Sequence, residues 1–364
     1  MRTDVAMRVT LLCLEWPHAG HTGGVGRYAY RLATALAAMP EVEVTVVTFS
    51  GGTHLEGAVM RTVPRATSRL GRFYWAPFRL RDVVAATRPD VVHSFGDDWA
   101  LRKSRVPLVR TFHGSALSEA RSSTGLRRLN HYLLALTEQF SARRAAIKIG
   151  VGPDSVEAFA CDDIMPPVTT LDPPKGVLKT TDPSVVFVGS HSGRKRGNLV
   201  ASVVDSVRAE TRLPIALIVI GPASDAEAWP DETHHVAGAS DAEVLEIVSS
   251  SWVLLAPSLY EGFGIPTYEA LAVGTPVIAS SNPGSEFIRS LTTSGTVIDI
   301  TQDEGLRAAL VSRLTRGPGL DPSEEETRRA AVERLALLAS PSRLVQEIYP
   351  AARRKMKDRR RPLE

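Results

Sequence analysis

The sequence predicts an α/β protein of two halves, each a parallel sheet flanked by helices. Three observations carry that reading. Short apolar runs such as Arg8–Leu14 and Glu41–Phe49 alternate with helical stretches in both halves, and strands separated by helices imply parallel crossovers. Pro214 to Ile220 is apolar throughout, as suits a strand buried on both faces. Pro166-Pro167, Pro173-Pro174 and Gly176 interrupt the pattern near mid-chain. The linker is therefore placed at residues 166–182, between an N-terminal domain over 1–170 and a C-terminal domain over 171–340. Residues 341–364 are left as a helix and basic tail.

At 364 residues the chain has room for two domains of ordinary size. With 43% hydrophobic and 23% charged residues it can bury substantial cores. A formal charge of +3 is too small to point to nucleic acid as a partner. Cys13 and Cys161 are too few for a disulfide framework and fit a reducing cytoplasm. No apolar run reaches the ~18–20 residues of a membrane span. The start, Met1-Arg-Thr-Asp-Val-Ala-Met7, lacks the apolar core of a signal peptide, so a cytoplasmic protein is expected.

Taken in order, strand Arg8–Leu14 leads through a loop rich in His, Pro and Gly to Gly23-Gly24-Val25-Gly26-Arg27-Tyr28. A helix runs from there to about Ala38, apolar at Leu32, Ala35 and Leu36, and strand Glu41–Phe49 follows. This unit raises a dinucleotide site, but three features oppose NAD. The loop is long, the spacing is not G-x-G-x-x-G, and the second strand ends Thr48-Phe49-Ser50 without the ribose-binding acid. Gly23 and Gly24 still let backbone N–H groups approach a ligand's phosphates; the alternative is a tight turn only.

Arg61 to Arg81 mixes Arg65, Arg69, Arg72, Arg79 and Arg81 with Phe73, Tyr74, Trp75 and Phe78. It reads as a helix with a solvated basic face and an aromatic core face. The other reading is a seat for an anionic acceptor or for weak peripheral contact with an anionic membrane. Two buried strands then end at His93 and His113, on the carboxyl edge where open parallel sheets bind ligands; His93 also fits a role in orienting its loop. Gly125–Ile149 is expected to be one amphipathic helix, apolar at Leu129, Leu133, Leu136 and Phe140, with Arg127, Arg128, Arg143 and Arg144 outward.

In the second half, strand Val185–Val188 ends in Gly189-Ser-His-Ser-Gly-Arg194-Lys195-Arg196-Gly197 ahead of a helix. Arg194 and Lys195 on such a glycine loop make an anion cradle suited to a diphosphate, while Arg196 reads as solvated. Ser240 or Asp241 caps a helix start. Strand Trp252–Ala256 feeds a loop carrying Glu261, Gly262 and Gly264, Pro266 fits the first turn of a short helix, and Gly274 stops it before strand Val277–Ala279. The N–H groups around Gly264 to Thr267 can receive an anion, flanked by Glu261 in the loop and Glu269 on the helix. Alone, Glu269 also fits a simple interaction with the helix dipole. The pairs Asp97-Asp98 and Asp162-Asp163 read as loop or capping acids, and no metal site is expected. Helices Asp303–Thr315 and Ser323–Leu338 and a helical stretch from Ser342 finish the chain, ahead of a basic tail over Ala351–Arg361.

The run from Glu261 to Ser280, E-G-F-G-I-P-x-x-E-A-L-A-x-G-x-P-V-I-A-S, resembles the signature of the retaining glycosyltransferases of family 4. The resemblance covers most of the chain, most strongly Val185 to Phe287. It implies the GT-B fold, α/β with two facing Rossmann-like domains, parallel sheets and an interdomain cleft. It further implies transfer of a sugar, with retention, from a nucleotide-sugar donor to a metabolite, glycan or lipid-linked acceptor. The nucleotide-sugar would be a co-substrate, with no separate cofactor. On this likeness Gly262, Phe263, Gly264, Ile265 and Thr267 would bind the donor, Glu269 its ribose, and Glu261 the sugar hydroxyls and the oxocarbenium-like charge. Thr-Phe-His113-Gly-Ser is similar to the segment whose histidine approaches the donor sugar. Gly23-Gly24-Val25-Gly26-Arg27 is similar to the G-G-x-G-R beside the diphosphate, and Lys195 matches the lysine on the β-phosphate. The turn at Ser240 matches one lying against the nucleobase. There is one departure: many members carry an arginine directly after the glycine, where this chain has Ser190, and Arg194 would have to substitute for it. Two other readings share the fold, a nucleotide-sugar 2-epimerase, which would need no acceptor, and a non-catalytic nucleotide-sugar binder.

Overall fold

The computed structural model describes residues 6–18, 23–68, 70–101, 106–121, 125–168, 174–292, 296–298 and 303–358. Arg69, Gly295, Ile300 and the tail residues Arg359–Arg361 lie outside the described residues. The chain divides into two compact units, Met1–Val168 with Leu338–Glu364, and Thr169–Leu337. The C-terminal segment thus belongs with the first unit.

Among the described residues the first unit holds seven parallel strands: β1 (Met7–Leu12), β2 (Val42–Phe49), β3 (Ala58–Val63), β4 (Val91–Ser94), β5 (Leu108–Phe112), β6 (Ile147–Gly150) and β7 (Asp163–Ile164). Their order is β3-β2-β1-β4-β5-β6-β7, with Leu12 of β1 opposite Val47 on one side and Ser94 on the other. The direction of winding reverses between β1 and β4, which opens a crevice at their carboxyl ends. Helix Gly24–Ala37 buries Tyr28, Ala29, Leu32, Ala33 and Leu36, a stripe at the helical period. Against the sheet, Leu12, Val47, Phe49, Leu80 and Val84 form a continuous core. The expected basic–aromatic helix over 61–81 is in fact three pieces: the end of β3, a short π-helical turn at Gly71–Trp75, and the start of helix Ala76–Ala86.

Helix Tyr349–Asp358 packs on β4 and β5. Its Tyr349 is fully buried, and the hydroxyl lies 2.9 Å from His93 Nδ1. The other ring nitrogen of His93 is 2.7 Å from Thr111 Oγ1. With both nitrogens engaged inside the core, His93 holds the C-terminal segment to the sheet.

The second unit repeats the plan. Strands β8 (Ser184–Val188), β9 (Ala216–Ile220), β10 (His234–Val236), β11 (Val253–Ala256), β12 (Val277–Ser280) and β13 (Thr296–Ile298) are parallel, in the order β10-β9-β8-β11-β12-β13. Winding reverses between β8 and β11. Helix Gly197–Thr211 lays Val200, Val204 and Val207 onto Phe187, Leu217, Val219 and Leu255.

Helix Gly125–Arg144 departs from expectation. Leu129, Leu133, Leu136 and Phe140 face solvent, whereas Ser141 and Ala142 are buried. Neighbouring polar groups claim the inner face: Ser141 Oγ donates to Asp98 at 2.5 Å, Glu138 accepts the Ala116 N–H at 3.0 Å, and Asn130 meets the Tyr74 hydroxyl at 3.4 Å. Among the described residues no helix is long and apolar enough to cross a membrane.

Candidate active site

In the second unit the loop after β8 is built on glycine. Gly189 ends the strand at φ +159, and a Cβ there would press on Lys195 and Phe187 at 3.0 Å. Gly197 seats the following helix so closely that a Cβ would lie 2.6 Å from Trp229 and 2.8 Å from the Ser190 carbonyl oxygen. Between them, the turn Gly193–Lys195 presents two cations. Arg194 Nη1 donates to the Tyr260 carbonyl at 2.8 Å, and Leu259 N–H donates back to the Arg194 carbonyl at 2.9 Å. These bonds tie the loop after β8 to the loop after β11.

Glu261 lies where those loops meet. Lys195 Nζ is 2.7 Å from Glu261 Oε1 and Arg194 Nη1 is 3.1 Å from Oε2. Burial pushes this carboxyl up, but the charges of Lys195 and then Arg194 outweigh it and hold the pKa down at about 2. Gly264, at φ +88, starts helix Ile265–Ala272, and no side chain caps that end. The first N–H groups of a helix have no partner within it, and Pro266 contributes none. A pocket at this switch point is lined by Lys195, Ser258, Glu261, Gly264, Thr267 and Asn282 among others. The structure therefore brings together Arg194, Lys195, Glu261, Gly264 and Thr267.

Other predicted residues are placed differently. Glu269 is fully buried on the same helix. Phe263 is buried, its ring edge-on to Tyr268 at 5.7 Å. Ser240 forms a reciprocal capping box with Glu243, and its hydroxyl and N–H each lie 2.7 Å from the Glu243 carboxylate; it does not line the pocket. Ser190 bonds within its own loop, Oγ to the Ser192 carbonyl at 3.0 Å.

In the first unit Gly23 is the N-cap of helix Gly24–Ala37 at φ −79. A Cβ on Gly23 would meet only Glu15 Oε2, at 3.6 Å. The steric demand falls on Gly26, whose Cβ would sit 2.0 Å from the Glu15 carbonyl oxygen. His113 follows β5, edge-on to the Tyr28 ring at 4.8 Å, and its Nε2 is buried without a hydrogen-bond partner. Burial, then the charge of Arg110, lowers its pKa to about 3, so the ring is neutral at physiological pH.

Arg110 and Asn282 escaped sequence reading, and Asp97 and Asp98, expected as loop or capping acids, form ion pairs. Arg110 sits inside an apolar strand, paired with buried Asp98 at 3.3 Å and lying over the Phe112 ring at 4.7 Å. The signal was an arginine in a buried strand, which demands an acid. Asp97, at φ +61, lies 3.8 Å from Arg72, which also pairs with Glu15 at 3.2 Å; burial raises the Asp97 pKa to about 6 against the pull of Arg72. Asn282 caps helix Pro283–Ser290 and donates to the Ser258 carbonyl at 3.1 Å. An asparagine before proline at a helix start was its signature.

Two doubly wound parallel sheets, one in each unit, are the arrangement of the GT-B fold. The fold matches sucrose-phosphate synthase from Thermosynechococcus elongatus with a TM-score of 0.73 at 19% identity, over 97% of this chain and 100% of that one. It also matches Anabaena HepE in complex with UDP and glucose, with a TM-score of 0.68 at 13% identity over 94% and 98% of the two chains. The Glycosyltransferase Family 4 model matches residues 22–166 and the Glycosyl transferases group 1 model residues 168–333. The chain belongs to this glycosyltransferase family. A 50-residue segment is 48% identical to MMP alpha-(1->4)-mannosyltransferase of Mycolicibacterium hassiacum, over 14% of this chain and 12% of that protein. A 100-residue segment is 32% identical to a putative glycosyltransferase, ORF378, of Acidianus filamentous virus 2, over 28% and 24% of the two. The chain thus spans 12% and 24% of the lengths of these two relatives.

Proposed function

We propose that the protein is a retaining glycosyltransferase that moves a sugar from a nucleotide-sugar donor to an acceptor metabolite, glycan or lipid-linked sugar. The observation that carries the reading is the convergence of Lys195 and Arg194 on Glu261 beside the uncapped start of helix Ile265–Ala272. Breaking the sugar–phosphate bond leaves negative charge on the diphosphate and positive charge on the sugar. Lys195, Arg194 and the N–H groups near Gly264 to Thr267 supply the positive side, so the reading does not call on a metal; removing one such donor typically costs ~10²–10³ in turnover. Glu261, ionised at neutral pH, supplies the negative side and meets the sugar hydroxyls. Glu269 is assigned to the ribose and His113, neutral and with an unused ring nitrogen, to the donor sugar. Gly262, Phe263 and Ile265 contribute backbone to the donor, Gly23 and Gly24 approach the phosphates, and Ser240 stands beside the base.

The Anabaena neighbour is described with UDP and with UDP-glucose, and a relative is named a mannosyltransferase; UDP-glucose and mannosyl donors therefore head the candidate donors. A thermal-shift panel of UDP, GDP, ADP and TDP sugars tests the reading, followed by nucleotide release in the presence of acceptors. Glu261→Ala should keep nucleotide binding and lose transfer. A chain that no nucleotide sugar stabilises, or a Glu261→Ala variant with full turnover, would sink the proposal. Conversion of a nucleotide sugar without any acceptor would turn it into the epimerase reading. A cytoplasmic location is part of the same proposal.

A further inference from the structure

We propose that the outer face of helix Gly125–Arg144, with the aromatic turn beside it, docks on an anionic lipid surface. Leu129, Tyr132, Leu133, Leu136 and Phe140 are 58%, 37%, 46%, 68% and 49% exposed. Positions 129, 133, 136 and 140 recur at steps of four and three, so they form one stripe along the helix. Of the polar side chains of the same helix, Asn130, Glu138 and Ser141 bond to partners within the unit, while Arg128, Gln139 and Arg143 are exposed. A row of four large apolar side chains left in water on one helix departs from the usual rule, and such a patch marks an interaction site. The turn Gly71–Trp75 is tied to this helix by the Asn130–Tyr74 contact, and on that turn and the next helix Trp75 and Phe78 are also 68% and 44% exposed. On the helix before, Leu117 is also exposed.

Charge chooses the occupant. Arg128 and Arg143 are exposed on the helix, and the Arg128 guanidinium lies 5.8 Å from the Tyr132 ring. The helix has a single carboxyl, Glu138, which is turned inward to the Ala116 N–H. The outer face of this helix carries leucines, aromatic rings and arginines and no acid of its own, the neighbouring carboxylates being Glu119, 3.7 Å from His131, and the exposed Asp82 of helix Ala76–Ala86; such a face matches headgroup phosphates above an acyl boundary. It does not match a second copy of itself, because pairing two such helices would set arginines against apolar side chains and one another with no carboxylate to answer them. The docking surface does not depend on the proposed reaction. Its consequence does: helix Ala116–Arg121 joins this patch to His113, so on the glycosyltransferase reading the acceptor is lipid-linked.

The test is flotation of the full chain with vesicles of phosphatidylglycerol and phosphatidylcholine, against vesicles of phosphatidylcholine alone. Binding to the anionic vesicles is expected, weakening as ionic strength rises. The triple variant Leu133→Ser, Leu136→Ser, Phe140→Ser and the double variant Arg128→Glu, Arg143→Glu should each lose roughly tenfold or more of that binding. Their melting temperatures should stay at the wild-type value, because the substituted side chains are solvent-exposed. No flotation with anionic vesicles, or flotation indifferent to the triple variant, overturns the proposal. So does a wild-type dimer, by light scattering, that the triple variant converts to monomer, since that assigns the face to a second copy. Donor-induced thermal shifts, read on the same samples without vesicles, report on the transferase reading separately.

Discussion

Burial ordinarily drives a carboxyl toward its neutral form, and Glu261 shows what reverses it. Two cations within 3.1 Å hold its pKa at about 2, below the ordinary 4.5. A depressed carboxylate stabilises the fold fully above the unfolded pKa, and that contribution drains as pH falls from about 4.5 toward 2. The melting temperature should therefore fall through this window, and Glu261→Gln should flatten the fall. His93 and His113 are held neutral, each lowered to about 3 from 6.5. Their contribution is complete above pH 6.5 and is lost as pH drops toward 3, a window that opens higher on the scale and overlaps that of Glu261 below about 4.5. The two histidines should part under substitution. His93→Ala removes the partner of the buried Tyr349 hydroxyl and one partner of the Thr111 hydroxyl and should cost ~2–4 kcal/mol in a denaturant titration. His113→Ala removes a ring nitrogen that has no partner, so its main effect should be on turnover. Equal losses of stability would refute this division.

At the scale of elements, the loops around Glu261 are held by close packing of helices beneath them. Helix Pro283–Ser290 approaches the Glu261 loop through Gly284, where a Cβ would lie 2.6 Å from the Phe263 carbonyl and 2.9 Å from that of Glu261. Gly284→Ala should destabilise by roughly 1–3 kcal/mol and weaken donor-induced thermal shifts by moving Glu261. Gly23→Ala offers the opposite case. With φ −79 and no near neighbour, it should leave the melting temperature unchanged; a drop in turnover would then mean a ligand approaches that backbone, and unchanged turnover would reduce Gly23 to a turn residue. Arg328 completes the support of helix Ile265–Ala272, donating to the carbonyls of Leu271 and Ala272 at 2.6 and 3.2 Å.

At the scale of the whole molecule, each unit reverses its winding at one place, between β1 and β4 in the first and between β8 and β11 in the second. Ligand chemistry gathers at such switch points because neighbouring crossovers leave the sheet in opposite directions. A bound donor at 100 times its dissociation constant should add ~2.7 kcal/mol to stability. Hydrogen exchange should slow at Gly189–Gly197 and Ser258–Thr267 on donor binding. Protection confined to other segments would move the donor site elsewhere.

By itself the sequence determined the two α/β halves, most strand positions and the Glu261–Glu269 run. These rest on local signals, namely apolar periodicity, glycine and proline punctuation, and a contiguous motif. Helix Asp303–Thr315 was legible to the residue for that reason. Tertiary structure decided what depends on partners distant in the chain. It joined Lys195 to Glu261 across 66 positions and made His93 a core anchor for Tyr349, 256 positions away. It also gave Arg110 its acid. Above all it turned Leu129, Leu133, Leu136 and Phe140 outward. Periodicity reports that a helix has two faces. Which of them is buried is settled by what the neighbouring elements offer it, and here Asp98, Tyr74 and the Ala116 N–H offered hydrogen bonds to the polar one.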